Sequence, residues 1–345
     1  MPLTALLTPP PRPPHGGNLH AAIARFGGAP ADWLDLSAAL NPQAYSPPPL
    51  PDGLWQALPP PPSALLDAAR SYYRADALLA SAGSQAAIHT LPRLRRASQV
   101  TLATPMYAEH RWGWQAAGHR LCDCPHQAEA LLHAAGHSEV LVLCQPNNPG
   151  GECVEPEVLL ACARRLAERG GWLLVDEAFI DATPEASVIS QVHAHPNLIV
   201  LRSLGKFFGL AGLRLGMVAA HPAILAALDA ALGPWTISAA AAQHIACAAL
   251  TDANWIAAAR QRLPQDSARL ALLLAEHGLA SVGTALFRTC PHPHAEALHQ
   301  ALAAQRVWTR VLPGALRFGL PGGERQWQQL AQSLAADSCR HVIRR

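Results

Sequence analysis

Short apolar runs alternate with segments of helical hydrophobic spacing through the middle of the chain. The runs have the length of buried strands, and most of them end at a group of polar or small residues. Buried strands that alternate with helices favour a largely parallel sheet with helices on both faces, and ligands bind such sheets at the carboxyl ends of the strands. The predicted strands are 78–82, 99–103, 119–124, 139–144, 172–175 and 197–202.

The remaining segments predict a second, smaller lobe and an N-terminal arm. Residues 1–14 and 42–62 are rich in proline, which is typical of extended arms and linkers. From residue 222 the pattern is helical and rich in alanine, and an α+β pattern follows from residue 279. We therefore predict an arm at 1–45 that forms part of the small lobe, a large α/β domain at 46–230 and a smaller α+β domain at 231–345.

The composition excludes several classes of protein. The 345 residues exceed one typical core, and 50% hydrophobic against 14% charged residues indicates a globular chain. A formal charge of +2 gives no indication of a nucleic-acid partner. The N-terminus lacks a signal-peptide pattern and no apolar run reaches membrane length, so we expect a cytoplasmic protein with no membrane partner.

The cysteines and histidines do not predict a metal site. The eight cysteines form no CxxC pair, which favours reduced thiols, and we expect Cys122 and Cys124 to be buried on one face of a strand. We interpret His292, His294 and His299 as solvated side chains, because prolines separate them and no carboxylate–cysteine set accompanies them.

Lys206 is the only lysine among 26 lysine and arginine residues. Arginine supplies charge everywhere else, but a guanidinium does not lose its proton to become a nucleophile, whereas a lysine amine does. Ser203 stands three residues before Lys206, and Arg214 follows eight residues after it. The alternative is compositional drift that left one lysine by chance. The position of Lys206 after a predicted strand favours an amine nucleophile.

Two segments at strand ends carry groups that bind phosphate. Gly83, Ser84 and Gln85 begin a predicted helix, where backbone N–H groups and the helix dipole attract an anion. Ser203 and Arg214 would add a hydroxyl group and a cation to the same phosphate.

Four further residues fit a flat aromatic ring attached to that phosphate. Asp176 would hold a proton on a ring nitrogen, Asn148 would donate to a phenolate oxygen, and Tyr107 would stack on the ring. Lys206 supplies the amine for an imine. A phosphate, a pyridinium nitrogen, a phenolate and an aldehyde together describe pyridoxal 5′-phosphate, PLP. We interpret Lys206, Asp176 and Tyr107 as catalytic side chains.

With these motifs the chain resembles the fold-type I PLP enzymes of the class I/II aminotransferase superfamily. The resemblance extends from about residue 15 to residue 336 and implies an aspartate aminotransferase-like α/β fold, with 46–230 as the PLP-binding domain and a homodimer that shares its active sites. It also implies that Arg317 binds the substrate α-carboxylate, the alternative being a surface cation at a strand edge. The motifs that carry it are Gly83-Ser-Gln85, Tyr107, Pro146-Asn-Asn-Pro-Gly150, Asp176-Glu-Ala-Phe179, Ser203-Leu-Gly-Lys206 and Gly212-Leu-Arg-Leu-Gly216.

Within that superfamily, the segments around His15 and Asn41 are similar to those of the cobalamin-pathway threonine-phosphate decarboxylases. In that family the N-terminal segment covers the active site and helps to hold a phosphorylated amino-acid substrate. The implied reaction converts L-threonine O-3-phosphate to (R)-1-amino-2-propanol O-phosphate and carbon dioxide. The local alternative is a plain helix start that Asn18 caps. The residues expected to bind substrate are His15, Gly16, Gly17, Asn41, Asn148 and Arg317.

Two other functions remain open at this point. The first is a histidinol-phosphate aminotransferase or a related aminotransferase with the same fold, cofactor and phosphorylated substrate. Phe179 argues against it, because many aminotransferases have a tyrosine there that hydrogen-bonds the ring oxygen. The second is a PLP-binding regulatory protein without turnover, which the lack of a basic DNA-binding extension disfavours.

Overall fold

A seven-stranded sheet forms the centre of the computed structural model, which describes residues 11–235 and 239–345. Its strands lie in the order β2-β8-β7-β6-β5-β3-β4. All of them fall between residues 78 and 219. The strands are β2 (Leu78–Ser81), β3 (Gln99–Thr104), β4 (Arg120–Pro125), β5 (Val140–Cys144), β6 (Trp172–Asp176), β7 (Leu198–Ser203) and β8 (Gly216–Ala219).

The pairing is parallel between all neighbours except at β8, which runs antiparallel to both β2 and β7. The predicted α/β class with a mainly parallel sheet is therefore confirmed. The sequence did not predict β8, because its four residues, Gly216 to Ala219, are too few to show a hydrophobic period of their own. Every residue of β5 and β7 is buried, as expected for strands covered on both faces.

Helices cover both faces of this sheet, and two separate apolar clusters lie against it, one on each face. The longest helix, α9, has 24 residues and packs against the C-terminal strands. The helices are α1 (Leu19–Phe26), α2 (Ser63–Tyr73), α3 (Gly83–Thr90), α4 (Ala108–Ala116), α5 (Ala128–His137), α6 (Pro156–Ala167), α7 (Pro222–Leu232), α8 (Ala240–Thr251), α9 (Ala253–Glu276), α10 (Ala295–Ala304), α11 (Glu324–Ala335) and α12 (Asp337–Ile343).

Two smaller sheets join the N-terminal arm to the C-terminal part of the chain. A four-stranded antiparallel sheet has the order β12-β13-β10-β9, and β1 of the arm pairs in parallel with β11. The indole ring of Trp33, just before β1, packs edge-on against that of Trp308 in β11. The strands are β1 (Leu34–Asp35), β9 (Val282–Thr284), β10 (Phe287–Pro291), β11 (Val307–Trp308), β12 (Arg310–Leu312) and β13 (Ala315–Gly319).

Two expectations about exposure were wrong. Cys122 is exposed because β4 is an edge strand whose residues are exposed or only half-buried. His292 and His299 are buried rather than solvated, and Nδ1 of His299 lies 2.9 Å from the Thr309 hydroxyl group.

None of the helices in residues 11–235 and 239–345 has both the length and the apolar character that a bilayer-spanning segment requires.

Candidate active site

An inner cavity of about 140 Å³ lies where β5, β6 and β7 end. Its walls come from six separate stretches of sequence. The nine residues that the sequence predicts to hold the cofactor all line it: Gly83, Ser84, Gln85, Tyr107, Asn148, Asp176, Ser203, Lys206 and Arg214.

One end of the inner cavity is built tightly around the start of α3. Gly83 has φ +70°, and a side chain there would bring its Cβ atom within 2.8 Å of Arg214 Nη2. A Cβ atom on Gly216 would lie 2.5 Å from the Ser84 nitrogen. The backbone N–H groups of the first turn and the guanidinium of Arg214 are thus held together at a helix N-terminus, which is the arrangement that binds a phosphate group. These residues fit the phosphate of PLP.

Asp176, the last residue of β6, also lines the inner cavity. Its Oδ2 atom lies 2.8 Å from His110 Nε2, and its Oδ1 atom accepts from the Ala178 N–H at 3.1 Å. Both contacts fix the orientation of a carboxylate that is only 4% exposed. The sequence analysis did not identify His110 as a partner of Asp176. The only local indication was its position in α4, three residues after Tyr107.

Cys144 completes this buried corner of the inner cavity. Its sulfur atom, the His110 nitrogen and the Asp176 oxygen lie within 4.8 Å of one another. Burial, and secondarily the charge of Asp176, raises the pKa of the Cys144 thiol, so the sulfur stays protonated. The expectation that the chain holds no metal stays a prediction.

Lys206 follows β7 and reaches into the inner cavity, where its Nζ atom lies 5.4 Å from the centre of the Phe179 ring. Burial lowers the pKa of Lys206 to about 8, and the charges of Arg317 and Arg214 act in the same direction. Asp176 opposes this shift. A substantial fraction of the amine is neutral near physiological pH, which is the form that attacks a carbonyl group.

An outer cleft adjoins the inner cavity and shares Tyr107, Asn148 and Lys206 with it. Arg317 lines this cleft from β13 and is 8% exposed. Its Nη1 atom donates to Asn148 Oδ1 at 2.6 Å, and its Nη2 atom donates to the Ser37 carbonyl oxygen at 3.0 Å. Because Asn148 uses its oxygen for Arg317, its amide nitrogen is left to donate to a ring oxygen.

A second arginine, which the sequence interpretation missed, lies beside Arg317 in the outer cleft. Arg310 of β12 is directly opposite Arg317 in the antiparallel pair. Burial lowers the pKa of Arg317 to about 10, and the charge of Arg310 contributes. Both guanidiniums remain charged at neutral pH. The sequence did carry one signal for this pair of cations: two arginines on two short strands that a tight turn joins.

The N-terminal arm forms one wall of the outer cleft. His15 and Gly16 line it, and a Cβ atom on Gly16 would come within 2.4 Å of the Ser37 carbonyl oxygen. Gly17 does not line the cleft, and its N–H group donates to the Ser37 hydroxyl oxygen at 2.7 Å. Asn18 caps α1 by accepting from the Ala21 N–H. One segment therefore both caps α1 and forms part of the cleft wall.

Asn41 does not reach either the inner cavity or the outer cleft. Its amide nitrogen donates to the Phe207 carbonyl oxygen at 2.8 Å, and its backbone N–H donates to the Lys206 carbonyl oxygen. Its side-chain oxygen accepts from Arg262. Asn41 thus holds the loop that carries the lysine and makes no direct contribution to the substrate-binding surface.

The comparisons with known proteins agree with this geometry. The family model for aminotransferase class I and II matches residues 59–334. The chain belongs to this aminotransferase family. It is 44% identical over 324 residues to a threonine-phosphate decarboxylase of Pseudomonas aeruginosa, covering 93% of this chain and 96% of that protein.

Two further comparisons extend across almost the whole chain. A threonine-phosphate decarboxylase of a Sinorhizobium species is 40% identical over 332 residues, covering 93% of this chain and 97% of that protein. The structure of a histidinol-phosphate aminotransferase of Sinorhizobium meliloti in complex with pyridoxal 5′-phosphate aligns with a TM-score of 0.83 at 23% identity. That alignment covers 100% of this chain and 97% of the other, and it shows the fold.

The charges around Lys206 predict opposite effects of two substitutions. Reductive alkylation with a small aldehyde, followed by mass spectrometry of the peptide that contains Lys206, reports the neutral lysine amine separately from the N-terminal amine, and the chain has no other lysine. We expect the wild-type protein without cofactor to react with a midpoint near pH 8. Arg317→Gln should raise the midpoint by removing a nearby positive charge, and Asp176→Asn should lower it. A wild-type midpoint near the ordinary lysine value of about 10.4 would contradict the assignment.

Proposed function

We propose that the chain binds PLP in the inner cavity and decarboxylates L-threonine O-3-phosphate. The observation that carries this proposal is the pair of guanidiniums in the outer cleft. Among the described residues, Arg310 and Arg317 donate only to neutral oxygens, the carbonyl oxygens of Pro14 and Ser37 and the side-chain oxygen of Asn148. Two adjacent uncompensated cations match a substrate with two anionic groups, a carboxylate and a phosphate.

The inner cavity supplies a partner for each polar group of PLP. The start of α3, Ser203 and Arg214 would hold the phosphate, Asp176 the proton on the pyridine nitrogen and Asn148 the ring oxygen. When bound, PLP supplies an electron sink that accepts the electron pair released at the substrate Cα atom.

Arg317 is placed to bind the α-carboxylate of the substrate. Its guanidinium has five N–H donors, of which two are already used by Asn148 and Ser37, and Nε has no partner in the described part of the chain. Arg317 also lies close enough to Lys206 to lower the pKa of the amine. A substrate that Arg317 binds therefore has its amine and Cα atom near Lys206.

The reaction breaks the bond between Cα and the carboxylate, releases carbon dioxide and adds one proton to Cα. Arg317 sets the direction of the carboxylate, and the Lys206 side chain in its protonated form is placed to give a proton to Cα and so become neutral again. The apolar Phe179 ring beside Lys206 offers no hydroxyl group to the ring oxygen, unlike the tyrosine expected in many aminotransferases. This difference agrees with decarboxylation as the proposed reaction.

Incubating the holoprotein with L-threonine O-3-phosphate and measuring carbon dioxide tests the proposal directly. We expect release by the wild-type protein and none by Lys206→Arg, because the guanidinium stays protonated and cannot attack an aldehyde. The variant should keep its unfolding temperature but lose the imine that borohydride traps. Absence of carbon dioxide, with 2-oxoglutarate-dependent conversion of histidinol phosphate instead, would replace the proposal by the aminotransferase.

Arg310 provides a test of the phosphate-binding part of the outer cleft. Loss of one charge-assisted contact to a phosphate predicts that Arg310→Gln raises KM for L-threonine O-3-phosphate by about tenfold or more, with a smaller effect on kcat. Arg111→Gln is the matched control, since Arg111 lines the same cleft but forms an ion pair with Asp123. Equal effects of the two substitutions on KM would contradict a specific role for Arg310.

We also propose a homodimer that forms through the proline-rich segment 42–62, and a cytoplasmic location. Trp55 and Leu58, three residues apart in this segment, are 72% and 65% exposed, and neighbouring exposed apolar side chains of this size are typical of an interface. Sedimentation velocity should show a wild-type dimer that the double substitution of Trp55 and Leu58 by serine weakens. Leu272→Ser, at a 66% exposed site on α9, should leave the dimer intact. A wild-type monomer would refute the dimer.

A further inference from the structure

A buried carboxylate next to the inner cavity connects the N-terminal arm to α3. Glu109 of α4 is 3% exposed. Its Oε1 atom lies 2.6 Å from His15 Nε2 of the arm, and its Oε2 atom lies 2.5 Å from His89 Nε2 and 2.5 Å from Gln85 Nε2. One side chain thus joins a residue of the arm to two residues of the helix whose first turn forms the phosphate end of the inner cavity.

The contacts continue from Glu109 to the ring that is expected to stack on PLP. The Tyr107 hydroxyl group donates to Gln85 Oε1 at 3.0 Å, and both residues line the inner cavity. The His15 imidazole lies 6.0 Å from the Tyr107 ring, centre to centre. Glu109 therefore connects the arm to residues that line the inner cavity. This connection is in addition to the contacts between the arm and the small lobe.

Glu109 is negatively charged, which allows it to hold the neighbouring nitrogen atoms together. Burial by itself would raise the pKa of Glu109, but hydrogen bonds and charges from His89 and His15 lower it on balance. The side chain is accordingly an ionised carboxylate at neutral pH, with two acceptor oxygens facing three nitrogen atoms. Breaking up such a buried set leaves unpaired polar groups, so the arm is held more firmly than an exposed histidine could hold it.

The position of His15 determines where the neighbouring backbone lies. The Pro14 carbonyl oxygen accepts from Arg310, and Gly16 packs against Ser37, so residues 14–16 close one side of the outer cleft. The His15 side chain is 44% exposed, and its contact with Glu109 attaches this turn to α4, beside the ring of Tyr107.

We propose that Glu109 is a positioning residue that docks the N-terminal arm through His15 and so closes the outer cleft over the phosphate end of the substrate. The identity of that substrate rests on the proposed function, whereas the docking of the arm does not. Glu109 touches neither the substrate nor the reacting atoms. Its effect on the reaction passes through residues 14–16.

Hydrogen–deuterium exchange of the holoprotein tests the docking without any substrate. An amide in place of the carboxylate offers one acceptor oxygen to three nitrogen atoms, so Glu109→Gln should speed exchange in peptides that cover residues 15–18. His15→Ala should have the same effect. His20→Ala, at an exposed histidine of the same arm, is the matched control and should exchange like the wild type. The helix α9 serves as the internal reference.

A double-mutant cycle tests the effect on the substrate. We expect Glu109→Gln and His15→Ala each to raise KM for L-threonine O-3-phosphate by about tenfold, and the double variant to raise it by about tenfold rather than about a hundredfold, because both changes release the same arm. The value of kcat should change much less, since the groups around Lys206 are untouched. The combination of Glu109→Gln with His20→Ala should show no coupling.

Three results would overturn the proposal. The first is that Glu109→Gln exchanges at residues 15–18 as slowly as the wild type. The second is that the effects of Glu109→Gln and His15→Ala on KM multiply in the double variant. The third is that Glu109→Gln weakens the affinity for PLP while the arm stays docked. If Glu109→Gln does not fold, His15→Ala at the exposed end of the contact gives the same test. If the chain turns over another phosphorylated amine, KM is measured with that amine, and the exchange result stands independently of the proposed function.

Discussion

The active site depends on keeping one amine partly neutral in a place that must also attract anions. The walls of the inner cavity bury the Lys206 amine, and Arg317 stands near enough to add its repulsion, which together bring the pKa of Lys206 to about 8. The same guanidinium is the expected ligand of the substrate carboxylate. Asp176 acts in the opposite direction and limits the shift. In the proposed function one positive charge would therefore serve both substrate binding and the activation of the lysine, and burial strengthens both interactions.

The two compartments divide the chemistry between them. The inner cavity is built from strand ends and the start of α3, where the backbone sets the geometry, and it holds groups that match a cofactor. The outer cleft is built from the arm, the loop around Ser37 and the pair β12–β13, and it holds the cations that match a substrate. Proteins that share this fold while acting on different substrates would differ mainly in the second compartment, because loops and arms tolerate changes that a parallel sheet does not.

The arm lines the outer cleft and is joined to the helix that begins at the inner cavity. Through His15 and Glu109 it is joined to α3 and α4, and through Gly16 and Pro14 it reaches Ser37 and Arg310. Its attachment to α3 and α4 rests on a few polar contacts, and segments held in this way are typically the less stable parts of a fold.

The sequence by itself determined the inner cavity. Asp176 ends a strand, and Lys206, Asn148 and the Gly83 turn come within four residues of a strand end. Because parallel strands end at one edge of a sheet, residues at those ends converge. Only the tertiary structure decided the positions of Asn41, Arg310 and Glu109. Asn41 donates to the loop that carries the lysine, and Arg310 lies opposite Arg317 because β12 pairs with β13. Glu109 meets a histidine 94 residues away, and no local pattern records a contact that depends on how distant segments fold together.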